Sequence, residues 1–260
     1  AALEEAILRE GPQSVAAFIA EPVGGSSTGA CVPRPEYFRR VREICDRHQV
    51  LFIADEVLTG AGRTGTWTAI EPYGVVPDIL TLGKGIAGGC VPLSAVCACE
   101  PILEVIARGS GAFLHAQTFS HNPVLCAAGL AAVTYIKSHG LIERCAQMGK
   151  ILHERLRPLL GLPHVGDIRG RGLLAGIEFV SDKATRAPFP RKLKFAESFT
   201  DAAQAAGLIV WPNAGQADGE NGDLVMLAPP FIVSERDIDE IVSLFKVAYE
   251  AATRSLKAGV

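Results

Sequence analysis

No apolar run in the 260-residue chain is long enough to cross a bilayer. The first ten residues (AALEEAILRE) carry charge where a secretory signal would carry an apolar block; they read as an amphipathic helix, Ala1–Glu10. Neither sign of charge dominates. The 25 Lys and Arg against 28 Asp and Glu leave a net −3, so there is no electrostatic case for a nucleic acid or an anionic membrane as partner. The seven cysteines (31, 45, 90, 97, 99, 126, 145) are odd in number and form no CxxC, and the six histidines show no H-E-x-x-H. A disulfide framework and a metal motif are therefore not expected; free, mostly buried thiols in a reducing cytoplasm are. A phosphate-binding G-x-x-x-x-G-K-[ST] loop is absent, because Gly83–Lys84 is followed by Gly85. Residues 25–29 (GSSTG) match G-x-S-x-G, but Ser27 comes seven residues after the end of an expected strand, which is no sharp strand-to-helix elbow. Internal repeats and low-complexity stretches are absent as well.

What is present centres on Val50–Lys84. Two short apolar runs, Val50–Ala54 and Ile79–Leu82, read as buried strands; Asp55 follows the first, Gly83 and Lys84 the second. A third run, Val15–Ala20, is followed by Glu21. In an open α/β sheet the ligand crevice lies beyond the carboxyl ends of the strands, so three strands would each deliver one ionisable group to one edge. A lysine among apolar groups can attack a carbonyl to form a Schiff base. Pyridoxal phosphate uses a lysine in this way, with an acid on its ring nitrogen.

Around this centre, strand–helix–strand alternation indicates a parallel sheet. A Gly/Ser/Pro loop, Glu21–Pro35, leads to a helix over Glu36–His48 whose Phe38, Val41, Ile44 and Cys45 share a face, with Pro35 suited to open it. The glycine-rich Thr59–Thr66 holds Arg63, read as a structural or subunit-contact residue. A strand is expected over Leu93–Cys99, a helix over Pro101–Arg108, and a polar loop over Gly109–His121. Asn122 suits the cap of a helix Pro123–Lys137, and a further helix spans Leu141–Leu160. A boundary near Pro163 divides a large domain, 1–163, from a small one, 164–260. The small domain is expected to hold strands Val165–Arg169, Leu173–Val180, Leu208–Trp211 and Leu224–Leu227, a helix Phe195–Ala206 and a mobile Pro212–Gly222 loop. Ser234 and Asp237 offer a capping box for a last helix, Glu235–Leu256.

Six segments in order, IAEPV (19–23), LFIADEV (51–57), GAGRTG (60–65), PDILTLGKGI (77–86), QTFSHNP (117–123) and VGDIRGRGLLAGIE (165–178), make the chain resemble the class III aminotransferases of the pyridoxal phosphate fold type I superfamily. The resemblance implies an α/β fold, with a mostly parallel sheet, helices on both faces and a smaller α+β C-terminal domain. Residue by residue, it implies that Lys84 forms the Schiff base and shuttles a proton. Asp55 would pair with the ring nitrogen, and Val57 would pack on the ring. Thr118 would bind the cofactor phosphate, usually that of the neighbouring subunit, and Glu21 would lie near the substrate. It implies pyridoxal 5′-phosphate as cofactor, an amine donor and a 2-oxo acid acceptor, a cytoplasmic homodimer with shared sites, and no metal. The family's N-terminal arm, phosphate loop and ring-stacking aromatic would precede Ala1. In the ornithine and γ-aminobutyrate branches an arginine that pairs with the glutamate aligns with Met226, and no arginine occurs between Lys192 and Glu235. A transaminase is the expected activity. A decarboxylase or aminomutase of the same fold and a non-catalytic dimerisation fragment are the alternatives.

Overall fold

Short β-branched and aromatic runs between turns become strands because their side chains fill a pleated, half-buried surface. The computed structural model describes residues 2–258, so Ala1 of the expected first helix lies outside the described residues. Inter-residue contacts divide the chain into two compact units. The first takes in the chain up to Pro22, Pro33–Gly62 and Thr66–Gly140; the second takes in Val23–Val32, Arg63–Gly65 and everything from Leu141 onward. The division falls at Gly140/Leu141, earlier than the boundary near Pro163 drawn from turn residues alone, and two short segments cross into the second unit.

In the first unit, β1 (Ala17–Ala20), β2 (Leu51–Glu56), β3 (Ile79–Leu82) and β4 (Ala95–Ala98) form one sheet in that order. β1, β2 and β3 are parallel, and β4 runs antiparallel to β3. The unit's helices are α1 (Ala2–Glu10), α2 (Tyr37–His48), α3 (Glu100–Arg108) and α4 (Pro123–Ser138). Strand alternation sends Phe52, Ala54 and Glu56 to the face that buries Phe38, Val41 and Cys45 of α2. Phe38 stacks on Phe52 with ring centroids 5.7 Å apart and meets Tyr73 edge-on at 4.9 Å. Leu51, Ile53 and Asp55, on the other face, are half-buried. β3, expected to be buried, is half-buried at all four positions. Asp78 Oδ2 accepts hydrogen bonds from Phe52 N and Arg42 Nη1, both at 2.7 Å, which pins β3 to β2 in the register that pairs Asp55 with Thr81.

The second unit is an antiparallel sheet with helices. Its strands, β5 (Val165–Arg171), β6 (Leu174–Phe179), β7 (Trp211–Ala214) and β8 (Asp223–Leu227), lie in the order β5-β6-β8-β7. α5 (Leu141–Leu156), α6 (Phe195–Ala205) and α7 (Glu235–Ala258) complete the unit. Its core unites Leu152 and Leu156 of α5 with Phe179, Phe199 and Phe245. The Ser234–Asp237 capping box forms: Asp237 Oδ2 accepts from Ser234 N at 2.8 Å, and Ser234 Oγ accepts from Asp237 N at 3.2 Å.

Several boundaries shift. The strand expected over Leu93–Cys99 is shorter at both ends, Ala95–Ala98. α2 starts at Tyr37 rather than beside Pro35. The Leu208–Trp211 strand begins only at Trp211, and Pro212–Ala214, expected in a mobile loop, belong to it; an edge strand tolerates Pro212 because one side of its backbone needs no ladder partner. All seven cysteines are free as expected, but only Cys45 and Cys145 are buried, whereas Cys31, Cys90, Cys97 and Cys126 are exposed. Composition counts thiols but does not say which face of an element they occupy.

Candidate active site

Because β1, β2 and β3 are parallel, their carboxyl ends share one edge. Ala20 pairs with Ala54, so Glu21 follows at that edge beside Asp55 and is half-buried there. Asp55 is the last but one residue of β2. Its Oδ1 accepts from Val57 N at 3.0 Å and from Thr81 Oγ1 on β3 at 3.2 Å. No described residue donates to its Oδ2.

Gly83 brings the ends of β2 and β3 together. A Cβ at Gly83 would stand 3.2 Å from Val57 Cγ1, a tight contact, so its hydrogen lets Val57 pack against the backbone just before Lys84. Gly83 has an extended φ of −166°, so it serves space rather than conformation. Lys84 does not: its φ is +41°, a left-handed backbone held by a non-glycine residue where the strand passes into a single 3₁₀ turn, Lys84–Ala87. Its exposed side chain lines a cavity of about 610 Å³ together with Val91, Leu93, Gln117, Phe119 and Cys126, among others.

Glu56 was not singled out from sequence. It points to the opposite face from Asp55, is fully buried, and accepts from Thr59 Oγ1 and from Ile70 N at 2.9 Å. Burial pushes its carboxyl above the ordinary value, and the hydrogen bonds from Thr59, Ala69 and Ile70 partly offset that. Thr81 was likewise passed over. The two-residue strand period and the pairing of adjacent strands would have flagged both had the register been known.

Thr118 lies exposed in the loop before α4, between Gln117 and Phe119, which line the Lys84 cavity; Thr118 itself does not line it. Asn122 caps α4 as expected, its Oδ1 accepting from Val124 N at 3.0 Å and Leu125 N at 3.3 Å. Arg63 belongs to the second unit. Its Nη1 donates to Leu173 O at 3.1 Å and Pro229 O at 2.6 Å, its guanidinium lies 4.6 Å from the Phe231 ring centroid, and burial lowers its pKa. That is a structural role. Ser27 is an exposed turn residue whose carbonyl accepts from Asn213 Nδ2 at 3.3 Å, with no elbow geometry. Met226 is buried in β8, 6% exposed, and pairs with Gly176 of β6 and Trp211 of β7.

A carboxyl held by one oxygen and open at the other, an amine one strand over and a small aliphatic side chain at the same edge suit a flat heterocycle with a basic ring nitrogen and an aldehyde. The residues present therefore fit pyridoxal phosphate.

The profile of the family described as aminotransferase class-III matches residues 1–249. An uncharacterised aminotransferase of Bacillus subtilis (strain 168), YodT, is 40% identical over 256 residues, covering 98% of this chain and 58% of the relative. γ-Aminobutyrate transaminase 2 of Solanum lycopersicum is 37% identical over 246 residues, covering 94% and 52%. The crystal structure of a transaminase from the marine bacterium Virgibacillus superposes with a TM-score of 0.91 at 35% identity, over 97% of this chain and 56% of that one. The chain thus spans about half the length of the curated relatives it matches.

Proposed function

This chain belongs to the class-III aminotransferases, and from that premise we propose that in the whole protein it serves a pyridoxal-phosphate-dependent transaminase that moves an amino group from an amine or amino acid to a 2-oxo acid. The observation that carries the reading is the meeting of Asp55, Thr81, Val57 and the Gly83–Lys84 backbone at the ends of two parallel strands. When bound, the cofactor supplies a carbonyl with which amines condense and a ring that accepts electrons.

The chain's own residues do the rest. Asp55 Oδ2, to which no described residue donates, would accept the hydrogen bond of the protonated ring nitrogen. Val57 would pack against the ring. Lys84 Nζ would hold the cofactor and would serve as the base that takes the proton from the substrate's amine-bearing carbon. Thr118 would bind a phosphate oxygen of the neighbouring subunit's cofactor through its hydroxyl, and Glu21 would lie near the substrate.

A homodimer with shared sites is part of this reading. It is supported by the exposed apolar side chains Val96, Leu103, Val105, Phe113, Leu114 and Leu130 of the first unit, which are 55–89% exposed. The cytoplasm is the compartment it assigns, supported by seven free cysteines. Among the described residues no single helix is long and apolar enough to cross a membrane.

The test is Lys84→Ala in the full-length protein: turnover should fall by roughly a thousandfold or more, while cofactor absorbance shows whether the ring still binds. Undiminished turnover would refute the assignment. Donor choice follows from Met226 and from the lack of arginine between Lys192 and Glu235. A plain amine should outperform ornithine in kcat/KM with pyruvate or 2-oxoglutarate as acceptor. A preference for ornithine would contradict this.

A further inference from the structure

Asp55 and Thr81 are register partners on neighbouring parallel strands, so their side chains leave the same face of the sheet. A carboxyl group turns about its last torsion in a broad, two-fold well, and nothing in the strand backbone selects one oxygen. Two donors do: Val57 N at 3.0 Å and Thr81 Oγ1 at 3.2 Å both reach Oδ1, and no described residue donates to Oδ2.

The two donors differ in kind. Val57 N lies two residues along the same chain, in the turn that leaves β2, and moves with Asp55. Thr81 belongs to β3, whose register is held by the Asp78 bonds to Phe52 N and Arg42. Its β-branched side chain is stiff, so its hydroxyl is a fixed point outside Asp55's own strand.

We propose that Thr81 is a positioning residue for the reaction: by occupying Oδ1 it orients the Asp55 carboxyl so that Oδ2 alone meets the ring nitrogen of the cofactor. Thr81 touches neither cofactor nor substrate in this account and acts only through Asp55. The proposal rests on the transaminase reading above.

The experiment compares wild type, Thr81→Val and Thr81→Ser in the full-length protein. Each is titrated with pyridoxal phosphate and with an analogue in which a carbon replaces the ring nitrogen. Valine keeps the shape and removes the donor; serine keeps the donor. Thr81→Val should bind pyridoxal phosphate about tenfold more weakly, the scale of one lost hydrogen bond to a charged group. It should bind the carbon analogue as wild type does, and Thr81→Ser should restore the affinity. In turnover, Thr81→Val should lower kcat and leave the KM for the amine donor unchanged.

Equal affinity of Thr81→Val and wild type for pyridoxal phosphate would overturn the proposal. So would an equal loss for both ligands, which would mark Thr81 as merely structural, or a failure of serine to rescue. Wild type that binds both ligands equally would overturn Asp55's pairing role, and this proposal with it. Loss of the Lys84→Ala effect would instead strike the transaminase reading itself.

Discussion

Asp55 and Glu56 are consecutive acids, and the two-residue period of a strand sends them to opposite faces. Asp55, half-buried at the strand-end edge, has one oxygen to which no described residue donates. Glu56, fully buried, spends both oxygens on Thr59 and Ile70 and so ties the end of β2 to the loop that follows. Its carboxyl titrates above the ordinary value of about 4.5 because burial penalises its charged form. Between that value and the raised native one, the unfolded chain has released the proton that the folded chain still holds. Stability therefore falls as pH rises through this window and then levels off. Urea midpoints measured from pH 4.5 upward should show that fall in wild type, whereas Glu56→Gln, neutral throughout, should lack its share of the slope. The doublet of acids was plain in the sequence. Which acid faces a ligand was not, because that depends on which side of the sheet α2 covers.

At the scale of the element, glycines decide how closely backbones approach. Gly172, with φ +59°, sits in the turn between β5 and β6, and a Cβ there would stand 2.6 Å from Arg63 O and 2.7 Å from Thr64 Cα. Gly149 of α5 meets the same turn, where its Cβ would come within 2.5 Å of the Gly172 backbone. Backbone cannot swing aside as a side-chain tip can, and a left-handed alanine adds strain. Gly172→Ala should cost the second unit about 1–3 kcal/mol, read as a lowered thermal midpoint; an unchanged midpoint would mean the turn can relax. The segment RGRGLL was visible as glycine-rich, and its strands were legible from their alternation. Its packing against Arg63–Gly65, about a hundred residues earlier in the chain, was not, because no local pattern encodes a long-range approach.

For the whole molecule, the reading requires a second subunit to lend Thr118. Two variants, Lys84→Ala and Thr118→Ala, should each be nearly inactive alone. Mixed under conditions that exchange subunits, they should regain about a quarter of wild-type activity, since half of the random dimers are mixed and each of those holds one intact site. No recovery would confine Thr118's action to its own subunit. The succession of strands and helices, the capping of α4 and α7, the acid and lysine at strand ends, and the family could all be read from the order of residues, because periodicity, turn chemistry and motif order are local or linear properties. Tertiary structure decided the rest: the contact boundary at Gly140/Leu141, the exposure of four cysteines, the burial of Glu56, and the oxygen of Asp55 that Thr81 occupies. Each of these follows from which distant segments come to lie against one another, and that is fixed only when the sheet register and the covered face are chosen together.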